Sequence, residues 1–182
     1  MKRLLLITIL TVSGVIAPVT ANGLFDEQKE LPNARLELKG IGTARFMTID
    51  LYRAALYLAP DQSAHQWHLE VPRQLEISYH KPIKSRHFAK ATDMLLERGL
   101  SSREYRELEP KIRELLALYR DVKPGDRYTL TYLPDRGTEL ALNGEPLGQI
   151  AGDDFSRAVF GIWLGEDSIS PSLRYQLLGK KR

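Results

Sequence analysis

Two consecutive helices are predicted by the stretch Gly152-Asp-Asp-Phe-Ser-Arg-Ala-Val-Phe-Gly-Ile-Trp-Leu-Gly-Glu-Asp-Ser-Ile-Ser-Pro-Ser-Leu-Arg-Tyr-Gln-Leu-Leu-Gly179. Asp153 suits a helix cap, because its carboxylate accepts free backbone N–H groups of the first turn. Gly165 permits the left-handed residue at which such a helix ends. Ser170 and Pro171 suit the cap and first position of a second helix, which Gly179 closes. The first helix carries one apolar face, which we expect to be buried: Phe155, Val159, Ile162 and Trp163.

The rest of the chain is predicted to form mainly β-strands. The apolar run of residues 54–58 predicts a strand that is covered on both faces and lies within a sheet. Asn143-Gly144 is a hairpin signal. Because runs of strands alternate with pairs of helices, the pattern predicts an α+β fold with a mostly antiparallel sheet packed by a layer of helices. The predicted strands are residues 36–38, 43–49, 51–59, 67–71, 74–80, 128–132, 139–142 and 147–151.

Two further helices are predicted in the middle of the chain. An apolar stripe begins near Ser85, and Gly99 ends it. Ser101 and Glu104 form a capping-box pattern that starts the next helix. Pro110 is expected to bend or restart that helix, since proline removes a backbone donor.

The N-terminus predicts a cleaved signal peptide at residues 1–21 and export to the periplasm. Lys2 and Arg3 precede a mostly apolar run at residues 4–19, and Ala21 provides a small residue for cleavage. The run is short for a membrane-spanning helix, which needs about 20 apolar residues. We therefore expect no stable membrane insertion after cleavage; an uncleaved anchor is the alternative. We expect residues 22–34 to form a loose polar lead-in and residues 35–182 to form one domain.

Composition narrows the classes of function. The chain has 182 residues, with 26 Lys and Arg against 23 Asp and Glu. Removal of Lys2 and Arg3 leaves 24 against 23, so the mature chain is near neutral and nucleic-acid binding is not expected. The chain has no cysteine, which excludes disulfides, thiol chemistry and a lipid-modified cysteine. The sequence has no phosphate-binding or dinucleotide-binding motif, and no cofactor is expected.

Three blocks resemble the chalcone isomerase-like family, in particular its exported bacterial branch. They are the Gly-x-Gly turn with the strand after it (residues 40–58), the hairpin segment 137–150, and the terminal helices with Phe-Gly-Ile-Trp-Leu and Ser-Pro (residues 154–179). The resemblance implies an open-faced β-sandwich. It also implies a site built from an arginine after the Gly-x-Gly turn, a threonine on the next strand, polar groups on the first helix and one in the Ser-Pro helix.

The resemblance places these positions on Arg45, Tyr52, the region of Phe88, and Leu173. Arg45 matches the family's arginine, whereas Tyr52 and Leu173 replace polar groups that the plant reaction uses. Chalcone isomerisation is therefore not expected. The four residues are our predicted ligand-binding residues, with Arg45 at the inner end of an apolar cleft as a clamp for an acid group. The alternative for Arg45 is a structural salt bridge to Asp50 or a nearby glutamate, and for Tyr52 a core tyrosine.

Three functions follow from these observations. The first is a non-catalytic binder of a small apolar acid, either a fatty acid or an aromatic acid. The second is an isomerase or lyase that acts on another enone with Arg45 and Tyr52. The third is a structural envelope protein whose cleft is filled by side chains. His65 and His68 lack the cysteine or carboxylate neighbours of a zinc site, so no metal is expected.

Overall fold

The computed structural model describes residues 23–179, and the predicted signal peptide at residues 1–21 lies outside them. A seven-stranded antiparallel sheet has its strands in chain order, and helices cover one face. This confirms the predicted α+β class. The strands are β1 Gln28–Leu31, β2 Ala34–Phe46, β3 Ile49–Leu58, β4 Arg73–Tyr79, β5 Arg127–Leu133, β6 Gly137–Leu142 and β7 Glu145–Ile150. The α-helices are α1 Ser85–Gly99, α2 Ser102–Leu118, α3 Asp153–Leu164 and α4 Pro171–Leu178, and a 3₁₀ turn spans Ala64–Gln66.

The interior strand β3 is buried on both faces along residues 54–58, as its continuous apolar run predicts. One set of its side chains joins the main core under the helices: Tyr52, Ala54, Leu56 and Leu58. The alternate residues Ala55 and Tyr57 join a smaller cluster on the other face with Phe25 and Leu36. The interpretation of residues 22–34 as a loose lead-in is wrong for its described part, because it contains β1 and the buried Phe25.

Two strand predictions need correction. Residues 43–49 are not one strand, because β2 ends at Phe46 and Met47-Thr48 form the turn to β3. Residues 67–71 form no strand; they follow the 3₁₀ turn as bends, held by short-range bonds such as that from the Leu69 N–H to the Gln66 carbonyl. The Asn143-Gly144 hairpin is confirmed, since both residues have the positive φ that a tight two-residue turn requires.

The helix boundaries follow the capping signals with exceptions. Ser101 and Glu104 form the predicted capping box, and the Ser170 hydroxyl accepts from the backbone of Leu173. Pro110 does not restart α2, which runs unbroken from Ser102 to Leu118; Pro110 is exposed, so water can satisfy the carbonyl that loses its donor. Gly152, and not Asp153, is the N-cap of α3. Gly165 ends α3 in an extended conformation, not a left-handed one.

Helix α4 lies directly on β2 because two glycines of that strand leave room for it. A side chain at Gly40 would collide with the carbonyl group of Leu177. One at Gly42 would meet the Leu173 side chain, which is fully buried there. The Gly-x-Gly pattern therefore serves helix packing in this fold.

Candidate functional site: an apolar cavity under helix α1

An apolar cavity of about 250 Å³ lies between the helix-facing side of the sheet and helices α1 and α3. Strands β3 to β6 form its floor, and the helices form its roof. Its volume is near the lower end of ordinary ligand pockets, which enclose about 300–1,000 Å³. The cavity owes its shape mainly to aromatic side chains: Tyr52, Tyr79, Phe88, Tyr119, Tyr128 and Trp163.

Phe88 of α1 is the centre of this aromatic wall. Its ring centroid lies 5.4 Å from Tyr79, 5.5 Å from Tyr119 and 5.6 Å from Tyr128. The contacts to Tyr79 and Tyr128 are edge-to-face, a geometry that aromatic pairs favour. Because Phe88 meets several rings at once, the wall is held in one arrangement.

Three of the four tyrosine hydroxyls already have partners. The Tyr52 hydroxyl accepts from Trp163 Nε1 at 3.1 Å, and the hydroxyls of Tyr119 and Thr92 lie 2.9 Å apart. The Tyr128 hydroxyl binds the backbone of Arg120 as donor and as acceptor. The Tyr79 hydroxyl forms no hydrogen bond within residues 23–179. It and the Tyr52 hydroxyl, which accepts from Trp163 but has no acceptor of its own among the described residues, can donate to a bound molecule.

The cavity is electrostatically neutral. Burial raises the pKa of Tyr52 to about 12 and that of Tyr119 to about 12, and it raises the pKa of Tyr79 well above its usual value. These hydroxyls therefore stay protonated near neutral pH. Among the described residues that line the cavity there is no Lys, Arg, Asp or Glu, and His87 is the basic side chain at its edge. The interior can hold an apolar group and offers a hydroxyl, but it offers no strong acid, base or nucleophile.

Two of the four predicted binding residues lie in this cavity. Tyr52 and Phe88 both line it, and their role in binding stays a prediction. Leu173 is fully buried but packs against Gly42 beneath α4, outside the cavity lining. Its predicted place in the cleft is therefore wrong, because α4 covers the outer part of β2 and not the strands of the cavity floor.

The predicted position of Arg45 is also wrong. Its side chain is 66% exposed at the end of the β2–β3 hairpin, and its Nε lies 2.5 Å from a carboxylate oxygen of Asp50. This hydrogen bond and the carboxylate charge raise the pKa of Arg45. A register shift between Ala44 and Arg45 interrupts the strand pairing there. Such a bulge re-aims side chains, so alternation along β2 does not carry Arg45 into the core.

The buried arginine of the described chain is Arg73, which falls between the predicted strands 67–71 and 74–80. It is fully buried at the start of β4, and its guanidinium lies over the rings of Tyr132 at 4.3 Å and Phe160 at 5.0 Å. It donates to the Leu69 carbonyl at 2.6 Å and to the Ser156 hydroxyl at 2.7 Å. Burial lowers its pKa to about 10. Arg73 is absent from the cavity lining, so we assign it a structural role.

A wider groove of about 410 Å³ lies between α1, α2 and α3. Its lining, in the part of the chain that the structure describes, is mainly acidic, with Glu104, Glu107, Asp154, Glu166 and Asp167 against the single basic residue Arg157. Within residues 23–179, no three His, Cys, Asp or Glu side chains are grouped to hold a metal ion, and no helix has the length and apolar character needed to cross a membrane. The neutral cavity is therefore the better candidate site for an apolar ligand.

Comparison with known proteins gives three results. A family model described as chalcone isomerase-like matches residues 17–179. An uncharacterized protein of Haemophilus influenzae is 32% identical over 113 residues, which are 62% of this chain and 54% of that protein. This chain thus spans about half the length of that relative. The crystal structure of a fatty-acid binding protein of Arabidopsis thaliana superimposes with a TM-score of 0.65 at 12% identity, covering 89% of this chain and 96% of the other, a likeness of fold alone.

Proposed function

The chain belongs to the chalcone isomerase-like family, and we propose that it binds a small apolar carboxylic acid without catalysing its conversion. The main support for this proposal is the cavity itself, which is lined by aromatic and aliphatic side chains and contains an available tyrosine hydroxyl. A neutral wall of this kind suits an apolar tail. The Arabidopsis protein with the same fold is a fatty-acid binding protein, which supports the same class of ligand.

The charge distribution sets the orientation of such a ligand. A carboxylate deep inside the cavity would have no cation to pair with, and an unpaired buried charge is strongly unfavourable. The acid group therefore belongs at the edge, beside His87, with the tail directed among Phe88 and the tyrosines. This orientation replaces the predicted clamp by Arg45, which lies outside the cavity.

The residues give less support to an isomerase. Arg45 lies outside the cavity, so it cannot stabilise charge on an enone oxygen there, and the Tyr52 hydroxyl, held by Trp163, would act only as one neutral donor. The available Tyr79 hydroxyl is a neutral donor whose pKa is raised, which makes it a binding group and not a base. We therefore favour binding over turnover.

A cavity-filling substitution tests the proposal. Ala91 lies on α1 at the cavity lining and is exposed, so Ala91→Trp should obstruct the cavity while α1 still forms. Ala117→Trp is the matched control, because Ala117 is an exposed alanine of α2 that does not line the cavity. The thermal midpoint of each protein would be measured with octanoate, dodecanoate and hexadecanoate. A ligand at 100 times its Kd stabilises the native state by about 2.7 kcal/mol, which raises Tm by roughly 5–10 °C for a chain of this size.

We expect one of these acids to raise the Tm of the wild type and of Ala117→Trp, and to leave that of Ala91→Trp unchanged. Tyr79→Phe should weaken binding while Tyr119→Phe, whose hydroxyl is already bonded to Thr92, should not. Absence of a shift with every acid in the wild type would refute the proposal. An equal shift in Ala91→Trp would place the binding elsewhere.

We further propose that the protein is exported to the periplasm and belongs to the family's exported bacterial branch. The proposal rests on Lys2, Arg3, the apolar run and the small residues before Asn22. Intact-mass measurement of the protein from envelope fractions is the test. The expected mass is that of a chain beginning near Asn22, and a full-length species retained in membranes would contradict export by cleavage.

A further inference from the structure

We propose that the turn between β2 and β3, residues 46–49, docks this protein on an anionic lipid bilayer. We call these residues the hairpin tip. Phe46, Met47 and Ile49 are 64%, 85% and 48% exposed, so three large apolar side chains meet water at one tight turn. Scattered apolar residues are ordinary on protein surfaces, but a group of them at a projecting end is typical of an interaction site.

The residues of this turn differ from those of another two-residue hairpin turn in the same chain. The β6–β7 hairpin has the same two-residue length and uses Asn143-Gly144, residues that adopt positive φ readily. The hairpin tip instead holds Met47 at φ 55, a left-handed conformation that is unfavourable for such a side chain. A long apolar side chain is thus kept where the local conformation favours a small or polar one.

Basic residues lie beside the hairpin tip. The His80 N–H donates to the Leu51 carbonyl at 2.9 Å, which joins the end of β4 to the base of the tip. The segment that follows His80 contains no acidic residue and three basic side chains before His87: Lys81, Lys84 and Arg86. Two carboxylates face this region, Asp50 paired with Arg45 and Asp121 paired with Lys84. Lys81 and Arg86 form no ion pair within residues 23–179.

This combination fits a bilayer better than a protein partner. Apolar side chains at a narrow tip can enter the headgroup layer, while basic residues beside them are attracted to anionic lipid. A stable protein interface needs about 800 Å² on each partner, more than a single turn provides. The hairpin tip also lies close to the cavity, because Leu51, next to the tip, and Ile83, in the basic segment, both line the cavity. Docking there would bring the cavity to the bilayer, where apolar acids reside.

A site-specific fluorescent label tests the docking in the full-length chain. The protein has no cysteine, so Met47→Cys creates a unique thiol for an environment-sensitive dye. Met94→Cys is the matched control, since Met94 is a methionine 58% exposed on α1. Each labelled protein would be titrated with phosphatidylcholine vesicles and with vesicles that also contain phosphatidylglycerol. The dye reports on the surroundings of the labelled position, so vesicle binding through residues 1–21 would not produce a signal that is specific to position 47.

We expect a blue shift at position 47 with the anionic vesicles, little shift with phosphatidylcholine alone, and none at position 94. Lys81→Glu in the labelled protein should weaken the vesicle response roughly five- to thirtyfold, since each basic residue near an anionic surface strengthens attachment about fivefold. Arg136→Glu, on the exposed β5–β6 turn, should leave it unchanged. No shift at position 47, or equal shifts at both positions, would overturn the proposal. A shift that grows with protein concentration without vesicles would also overturn it, in favour of contact between two copies of the chain.

Discussion

Replacement of Arg73 should destabilise this protein far more than replacement of Arg45, although only Arg45 matches the family's arginine. Arg73 is fully buried and its guanidinium bonds to Leu69, Ser156 and Asp153. Arg73→Met removes the charge and keeps an apolar side chain of similar length. The change leaves the buried Ser156 hydroxyl and the partly buried Leu69 carbonyl without their donor.

The magnitude follows from the burial of the pair. Removal of one partner of a buried ion pair costs about 3–5 kcal/mol. Asp153 is 15% exposed and also pairs with Arg157, so it is not left without a cation, and we expect the lower end, about 3 kcal/mol. Arg45→Met removes a solvent-exposed pair with Asp50, and because such pairs contribute little to stability the change should be close to neutral.

Urea denaturation followed by circular dichroism measures both effects. With an m-value of about 1–3 kcal/mol/M, a loss of 3 kcal/mol lowers the midpoint by about 1–3 M, whereas Arg45→Met should move it little. Arg73→Lys separates charge from shape, because lysine keeps the charge but loses the planar stack on Tyr132 and Phe160. The structural assignment of the two arginines would be refuted if Arg73→Met were as stable as the wild type, or if Arg45→Met lost as much stability as Arg73→Met.

Three further outcomes are expected. The pKa of Tyr52 and of Tyr119 is about 12 in the folded protein against the usual 10.0, so their contribution to stability is complete below pH 10.0 and is lost as pH rises toward 12. Absorbance titration with parallel circular dichroism should show that these tyrosines ionise as the protein unfolds. Ionisation near pH 10.0 while the fold is intact would contradict this expectation. Gly40→Ala should lower the free energy of unfolding by roughly 1–3 kcal/mol, because its Cβ would collide with the α4 backbone. Gly99→Ala has open space around it and should leave the stability nearly unchanged in the same urea denaturation assay. The purified protein should not accelerate chalcone cyclisation, followed by absorbance, because Arg45 lies outside the cavity; a rate clearly above the spontaneous one would show that the acid-binding reading is incomplete.

Local signals in the chain were sufficient for most of the secondary structure. The capping box of Ser101 and Glu104 and the turn at Asn143-Gly144 depend on side chains a few residues apart, so they can be recognised from spacing. The predicted strand over residues 43–49 was wrong because Met47 is a residue type that seldom occupies a left-handed turn. Residues 67–71 were wrongly predicted as a strand, although they are apolar enough for one, because alternation over five residues is a weak signal.

The candidate site was only partly predictable. Tyr52 and Phe88 line the cavity as expected, but Tyr79, Tyr119 and Tyr128 were not singled out, although their aromatic side chains build the same wall. These five residues come from three strands, helix α1 and the residue that follows α2, and they lie far apart in the chain. Sequence spacing alone carries no information on which of them meet.

The fold class and the family can be recognised from the sequence alone, because strand patterning, helix caps and the Gly-x-Gly and Ser-Pro motifs are local and occur in the family's order. Which charges and hydroxyls are buried depends instead on the tertiary structure. A bulge beside Arg45 leaves that arginine in water, whereas packing of α3 against β4 encloses Arg73 with Ser156, a partner 83 positions away. Burial depends on contacts between distant segments, and those contacts exist only when the sheet and helices have come together.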